Sequence, residues 1–304
     1  MDGTTPNGGE LTRRALWIIN PAAGRRTIQR FIPSVLRILM DAGYMVTTLV
    51  TARKGEATEL AERYAGDFDL IVCSGGDGTL NETVTGLVRS GSSLPVGYIP
   101  CGTTNDFAAA RGLPRDAVAA ARRIAAGQVS SCDLGRFGSR FFVNSAVFGA
   151  FSWMAYTTDQ TLKNTLGYTA YLLDGMMDLS RIRPIHMKLT ADGREWEGDY
   201  VFGAVSNASA LGGIIELPVD PDSLSDGLLE LTLIRAPRTL QDLDIIVHSI
   251  LNKDFSGSFL TVTRVRELLV ENDPELRWSL DGEDSGALDR VEIRAVPGLL
   301  RLRS

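Results

Sequence analysis

A chain of 304 residues with 44% apolar and 22% charged composition is long enough for two domains and apolar enough for packed cores. Its net charge of −6 argues against nucleic-acid binding through a basic face. That charge is split, +2 over residues 1–130 and −8 over residues 131–304, so the first part is the better home for a polyphosphate. Three widely spaced cysteines (Cys73, Cys101, Cys132) imply neither a disulfide framework nor a zinc site, and two histidines nearly exclude a His-based metal centre or triad. The start, MDGTTPNGGE, lacks the basic and apolar regions of a signal peptide. The longest uncharged run, Phe141 to Thr158, is broken by polar residues and reads as buried sheet and not as a span, so a soluble, cytoplasmic chain is expected.

Residues 1–10 show no periodicity and are expected to be a tail. A short apolar strand at 15–19 ends in the turn Asn20-Pro21-Ala22-Ala23-Gly24. A helical stripe of Phe31, Val35, Ile38 and Leu39 follows and closes at Gly43, with Pro33 predicting a kink or a late start. Next come a strand at 45–51, a helix at 55–65 with Ala57, Leu60, Ala61 and Tyr64 inward, and a buried strand at 69–73. The glycine-rich turn SGGDGT, a helix at about 79–89, a strand at 95–99 and a helical region at 102–126 broken at Gly112-Leu113-Pro114 complete the series. Alternating strands and helices predict a parallel, doubly wound sheet, which binds ligands beyond the carboxyl ends of its strands. Asn20-Pro21, Ser74–Thr79 and Cys101–Asn105 all fall there.

After about residue 129 the pattern turns to alternating strands, at 140–150, 185–191, 195–206, 228–235, 259–263, 266–270, 276–281 and 290–294. Helices are expected at 159–180 and at 238–253, the latter with Leu240, Leu243, Ile246, Val247 and Ile250 in one stripe. This predicts an antiparallel, sandwich-like second domain.

Three turns carry the chemistry. In SGGDGTLNETVTGL (74–87), paired glycines let backbone approach a ligand and the next helix offers N–H groups to an anion. Asp77 can meet a cation travelling with phosphate; the plainer alternative is an aspartate capping its own helix. In PCGTTNDFAAARGLP (100–114), Thr103 and Thr104 offer hydroxyls and Asn105-Asp106 opens a helix, with ordinary N-capping as the alternative. NPAAGRR (20–26) is a strand-to-helix turn with arginines just inside it, or simply a solvated loop.

Together with Thr51 followed by Gly55-Glu56-Ala57, SLSDGLLEL at 223–231 and LDGE at 280–283, these segments resemble the diacylglycerol kinase catalytic-domain family. That family includes bacterial lipid kinases and the related sphingosine and ceramide kinases. NAD kinases and phosphofructokinases share a GGDG-like turn but lack the GTxNDFA and late DGE elements. The resemblance implies an α/β fold: a doubly wound, NAD-kinase/phosphofructokinase-like ATP-binding domain at 11–128 and an antiparallel β-sandwich-like lipid-substrate domain at 129–285. The C-terminal segment 286–304 can return to the first domain.

The resemblance further implies that ATP is surrounded by Asn20, Pro21, Ala22, Ala23, Gly24, Thr51, Gly75, Gly76, Asp77, Gly78, Thr79, Leu80, Asn81 and Thr103. It implies a Mg²⁺ held by Asp226 with Ser223 and Leu228, in a network reaching Asp77 and Asp106 through water. Of the two carboxylates in the DGE segment, Glu283 is assigned as the base and Asp281 as its partner, the exchanged roles staying open. One departure concerns the first turn, where Ala23 and Arg25 replace the serine and lysine of many relatives; a hydroxyl is lost and a charge kept.

The expected activity is an ATP- and Mg²⁺-dependent lipid kinase of phospholipid metabolism, acting on diacylglycerol at a membrane surface to give phosphatidic acid. Another lipid alcohol, a long-chain base, a soluble acceptor such as NAD, or a non-catalytic nucleotide- or lipid-binding regulator are the alternatives. No nucleic-acid partner is expected, and a homodimer stays open.

Overall fold

The computed structural model describes residues 12–24, 27–149, 183–208, 210–211, 215–217, 224–272 and 274–304. The expected tail 1–10, the helix at 159–180, Arg25 and Ser223 lie outside the described residues. The chain forms two compact units, Met1–Cys132 with Leu299–Ser304, and Asp133–Gly298.

The first unit contains the parallel strands β1 (Arg13–Ile19), β2 (Tyr44–Val50), β3 (Leu70–Gly75) and β4 (Val96–Pro100), in the order β4-β3-β1-β2. Its helices are α1 (Ile32–Asp41), α2 (Glu56–Tyr64), α3 (Asp77–Arg89), α4 (Asp106–Ala110) and α5 (Ala117–Ala126). β1 reads as a continuous apolar run because both sheet faces are covered. Trp17 and Ile19 pack with Val35 and Leu39 of α1 and Ala121 and Ile124 of α5. Leu16, Ile18, Ile71 and Cys73, on the alternate positions, are also fully buried, and α3 packs against β3 and α2. Each such aliphatic side chain contributes about 1.5–3 kcal/mol by leaving water.

Pro33 gives a late start: a 3₁₀ turn (Thr27–Phe31) precedes α1, with the proline in its first turn, where no N–H is needed. On α2 the buried residues are Ala57, Thr58 and Ala61, while Leu60 and Tyr64 stay half-buried. The region 102–126 resolves into α4 and α5, with the Asp116 side chain accepting the Ala119 N–H at 2.8 Å to start α5.

Among the described residues the second unit holds β6 (Arg140–Phe142), β7 (Ser145–Gly149), β8 (Ile185–Ala191), β9 (Arg194–Ser206), β10 (Ala210–Leu211), β11 (Ile215–Glu216), β12 (Leu229–Arg235), β13 (Leu260–Val265), β14 (Glu267–Asn272), β15 (Arg277–Leu280) and β16 (Glu283–Ala287), and the helix α6 (Leu240–Asn252). β5 (Val129–Phe137) and β17 (Arg290–Arg303) run through the divisions between the units, so both boundaries fall inside strands. At its far end β17 pairs in parallel with β4, Leu302 opposite Val96.

The ladders of this unit are antiparallel. β9 serves three of them: its first half pairs with β8, its second with β7 on one side and β12 on the other. One core centres on Trp278, whose ring lies 5.2 Å from Phe137 and 4.8 Å from Phe148. A second packs Val201, Phe202, Ala204 and Ile234 against Leu243 and Ile246 of α6. Leu240, expected in that stripe, is the first residue of the helix and is 64% exposed. A Thr239–Asp242 capping box starts α6. Among the described residues no helix is long and apolar enough to cross a membrane.

Candidate active site

In the first unit the turns after β1, β3 and β4 interlock. Gly24, at φ 55°, is pressed so closely on the third turn that a Cβ there would lie 2.2 Å from the Cys101 carbonyl oxygen. Gly102 faces Gly76, and a Cβ on Gly102 would sit 2.5 Å from the Gly76 Cα. Asn20 fastens the first turn to the second: its Nδ2 donates to Thr79 Oγ1 at 2.9 Å, and its Oδ1 accepts the Ala22 N–H at 3.0 Å. The Cys101 N–H donates to the Gly75 carbonyl at 2.7 Å, joining the second to the third. Glycines here are required by approach of backbone to backbone.

α3 holds the ensemble. Gly76 at its N-cap supplies no capping side chain, so the first-turn N–H groups face the turn without an internal cap. Asp77 does not cap its own helix. Its carboxylate reaches the start of α4, accepting the Asp106 N–H at 2.9 Å and the Phe107 N–H at 3.2 Å. Burial pushes the Asp77 carboxyl above its ordinary range, opposed by those amides and by the charge of Arg115. Asn105 stands at the N-cap position of α4, but its side chain does not cap the helix. Held at φ 53°, its side chain folds back to accept the Gly102 N–H at 2.8 Å and donate to the Gly102 carbonyl at 2.9 Å. Tyr98 OH lies 3.3 Å from both Asn105 Oδ1 and the Gly75 carbonyl, closing the third turn onto the second.

Most of the expected nucleotide residues of the first unit are therefore neighbours. Thr51 is buried and attached to the end of β1, its N–H donating to the Ile19 carbonyl at 2.9 Å. Thr103 is exposed in the third turn. Leu80 is fully buried, so only its backbone can face a ligand, and Asn81 Oδ1 accepts the Thr85 hydroxyl at 3.3 Å.

In the second unit, Asp281 and Gly282 both take positive φ (49° and 83°) and form the two-residue turn between β15 and β16, with Leu280 opposite Glu283. The Asp281 carboxylate is saturated by backbone: Oδ2 accepts the Val143 N–H at 2.8 Å, and Oδ1 those of Asn144 and Ser145 at 2.8 and 2.9 Å. This separates the two carboxylates of the DGE segment, since lone pairs held by three amides are poor proton acceptors. Glu283 opens β16 and is half-buried.

Asp226 sits in the turn before β12; Oδ1 accepts the Leu228 N–H at 3.1 Å and Oδ2 pairs with Arg264. Beside it Glu230 is 1% exposed; among the described residues neither carboxylate oxygen accepts a hydrogen bond, and Arg264 Nε lies 3.6 Å from Oε1. Burial pushes the Glu230 carboxyl up to about 7, against the opposing charge of Arg264. An oxygen-only donor set with orphaned buried carboxylate oxygens suits a hard cation. Among the described residues, no three His, Cys, Asp or Glu side chains cluster as a metal site.

Three residues escaped the sequence reading. Asp133, 1% exposed, accepts the Gly227 N–H at 2.6 Å and the Gly298 N–H at 2.8 Å, fixing the turn that carries Asp226. Arg264 is the counter-charge of that turn, and Glu82 of α3 accepts N–H groups of Gly55 and Ala57. Only Glu82 had a signal, as the last residue of GGDGTLNE.

Residues 14–137 match the family described as the diacylglycerol kinase catalytic domain, and residues 146–304 match the YegS C-terminal NAD kinase beta sandwich-like domain. A diacylglycerol kinase of Bacillus subtilis (strain 168) is 33% identical over 278 residues, covering 91% of each chain. One of Staphylococcus haemolyticus (strain JCSC1435) is 29% identical over 89% of this chain and 82% of its own. Among solved structures, a candidate diacylglycerol kinase from Bacillus anthracis str. Sterne superposes with TM-score 0.79 at 25% identity, over 96% of this chain and 97% of that one. The interlocked glycine turns thus occur in a chain that matches kinases over nearly its whole length: it is a kinase and belongs to the diacylglycerol kinase catalytic-domain family.

Proposed function

We propose that this enzyme transfers the γ-phosphoryl group of ATP, with Mg²⁺, to the hydroxyl of diacylglycerol, giving phosphatidic acid and ADP. The observation that carries the nucleotide half is the meeting of Gly76 and Gly102 at the uncapped N-terminus of α3. Backbone without side chains there admits phosphate oxygens to amide donors and the positive end of a 13-residue helix. Diacylglycerol as acceptor is supported by the names of the relatives at about 30% identity.

In this reading the hydroxyl oxygen forms the new bond to phosphorus, the bond to the ADP oxygen breaks, and Glu283 receives the hydroxyl proton. Asp281 holds the turn that presents Glu283 and does not itself take the proton. Asp77 keeps the second and third turns in register through the α4 amides. Asp226, with the carbonyls of Ser223 and Leu228, would hold Mg²⁺. When bound, the ion supplies neutralisation of charge; Arg264 is its built-in competitor. The acceptor resides in a bilayer, so the enzyme works peripherally at the cytoplasmic face of a membrane, as a monomer or homodimer.

The test uses γ-labelled ATP, Mg²⁺ and diacylglycerol in mixed micelles with the full chain. Wild type labels phosphatidic acid; Glu283→Ala lowers turnover by about 10²–10⁴-fold through loss of the base, and Asp77→Ala by about 10²-fold through displacement of the turns it holds. Label transfer that survives both substitutions sinks the assigned sites. Co-sedimentation with vesicles, and light scattering, decide the peripheral location and the oligomeric state.

A further inference from the structure

We infer that Glu82 is a positioning residue of the nucleotide site: through two backbone amides it fixes the Thr51–Ala57 turn to α3. This rests on the nucleotide reading above. Gly55 is the N-cap of α2, at φ 82°, and has no side chain with which to cap it. A helix start needs acceptors for its first N–H groups. Glu82 supplies them from the neighbouring helix, its Oε1 accepting the Gly55 N–H at 2.8 Å and its Oε2 the Ala57 N–H at 3.3 Å. The Glu82 carbonyl in turn accepts the Thr58 hydroxyl at 3.0 Å.

The turn has little other freedom. At its start Thr51 is bonded to the Ile19 carbonyl, immediately before Asn20. In the middle, Glu56 Oε2 accepts the Ala52 N–H at 2.6 Å and the Arg53 N–H at 3.3 Å. At its end the two helices are in backbone contact, since a Cβ on Gly86 would lie 2.3 Å from the Thr58 carbonyl oxygen. α3 therefore places three segments at once: the third turn through Asp77, the first through Thr79, and the Thr51–Ala57 turn through Glu82. An ordinary solvated glutamate would not put both oxygens on amides of another element. Glu82 acts on the nucleotide through the turn, so its loss weakens ATP binding and spares the acceptor.

The experiment measures equilibrium binding of a fluorescent ATP analogue to the full chain without lipid, with thermal melts alongside and steady-state kinetics on diacylglycerol. Glu82→Gln replaces one acceptor oxygen by an amide donor, and Glu82→Asp keeps the charge but falls one methylene short. Both raise the ATP Kd and KM about tenfold and leave the acceptor KM and saturating kcat within twofold, as loss of a charge-assisted hydrogen bond predicts. Thr58→Val removes only the hydroxyl bond to the Glu82 carbonyl; it lowers the melting temperature and leaves the ATP Kd unchanged. If Glu82→Gln and Glu82→Asp melt early yet bind ATP as wild type does, the residue is merely structural and the inference is overturned. An Asp variant matching wild type while Gln does not also overturns it, because charge and not position is then responsible. Should wild type itself bind no ATP, the nucleotide reading fails and takes this inference with it.

Discussion

Gly102→Ala tests the interlocking of the glycine turns most sharply. Gly102 does not have a positive φ, so alanine meets no backbone strain there and its effect is purely one of space. The new Cβ would lie 2.5 Å from Gly76 Cα and 2.8 Å from Asn105 Oδ1, against the 3.4 Å at which ordinary contact begins, so the two turns must part by about 0.9 Å. Neither neighbour can yield cheaply, one being backbone and the other an amide bonded to Gly102 and Tyr98. Overpacking of this kind costs about 1–3 kcal/mol of stability. A displacement near 1 Å in a site that must hold reacting groups costs about 100-fold in rate. Gly76→Ala is the internal comparison, because its Cβ would meet Gly102 Cα at 3.4 Å. Its stability cost should stay below about 1 kcal/mol. Chemical denaturation gives the stabilities and diacylglycerol phosphorylation the rates. If the two alanine variants are equally stable, or if Gly102→Ala turns over as fast as wild type, the turns are not packed as described.

Other consequences are independent of that pair. Asp133→Ala strips the acceptor from the buried Gly227 N–H and the part-buried Gly298 N–H; urea unfolding should show a loss of about 2–4 kcal/mol, and a loss below about 1 kcal/mol would contradict its anchoring role. His186, whose Nδ1 lies 2.9 Å from Asp199 Oδ1, has its imidazole pushed above its ordinary range by that hydrogen bond. With only two histidines in the chain, NMR titration can assign it, and Asp199→Asn should bring it back down. Because the folded value is raised, its stabilising effect is complete below the unfolded value and is lost as pH rises through the folded one. A titration unmoved by the substitution would refute the pairing. Glu283→Gln should lower kcat by about 10²–10⁴-fold while leaving the ATP Kd unchanged; a change within tenfold would move the base elsewhere.

Much of the fold was readable because its physics is local. Apolar runs such as Leu16–Ile19, broken by Asn20-Pro21 or by paired glycines, mark buried parallel strands and the turns beyond them. β5 and β16 escaped because VSSCDLGRF and EDSGA carry no clean alternation; tertiary pairing, with a register shift in the second case, makes them strands. Side-chain targets were harder to read than positions. Asp77 lies at the start of a helix, where capping its own amides is the usual expectation, yet its partners are 29 and 30 residues away on α4. Asp133 stands in no motif, and its partners lie 94 and 165 residues further along the chain. Only the folded chain shows that Asp281 spends its oxygens on three amides while Glu283 opens the next strand.

The central claim, phosphoryl transfer to diacylglycerol, meets its most direct test in competition. The full chain is given one pool of γ-labelled ATP with Mg²⁺ and a micellar mixture of diacylglycerol, another lipid alcohol and a long-chain base, with NAD in the aqueous phase. The account predicts that label accumulates in phosphatidic acid ahead of every other product. Label entering another acceptor first, or released only as inorganic phosphate, would contradict it.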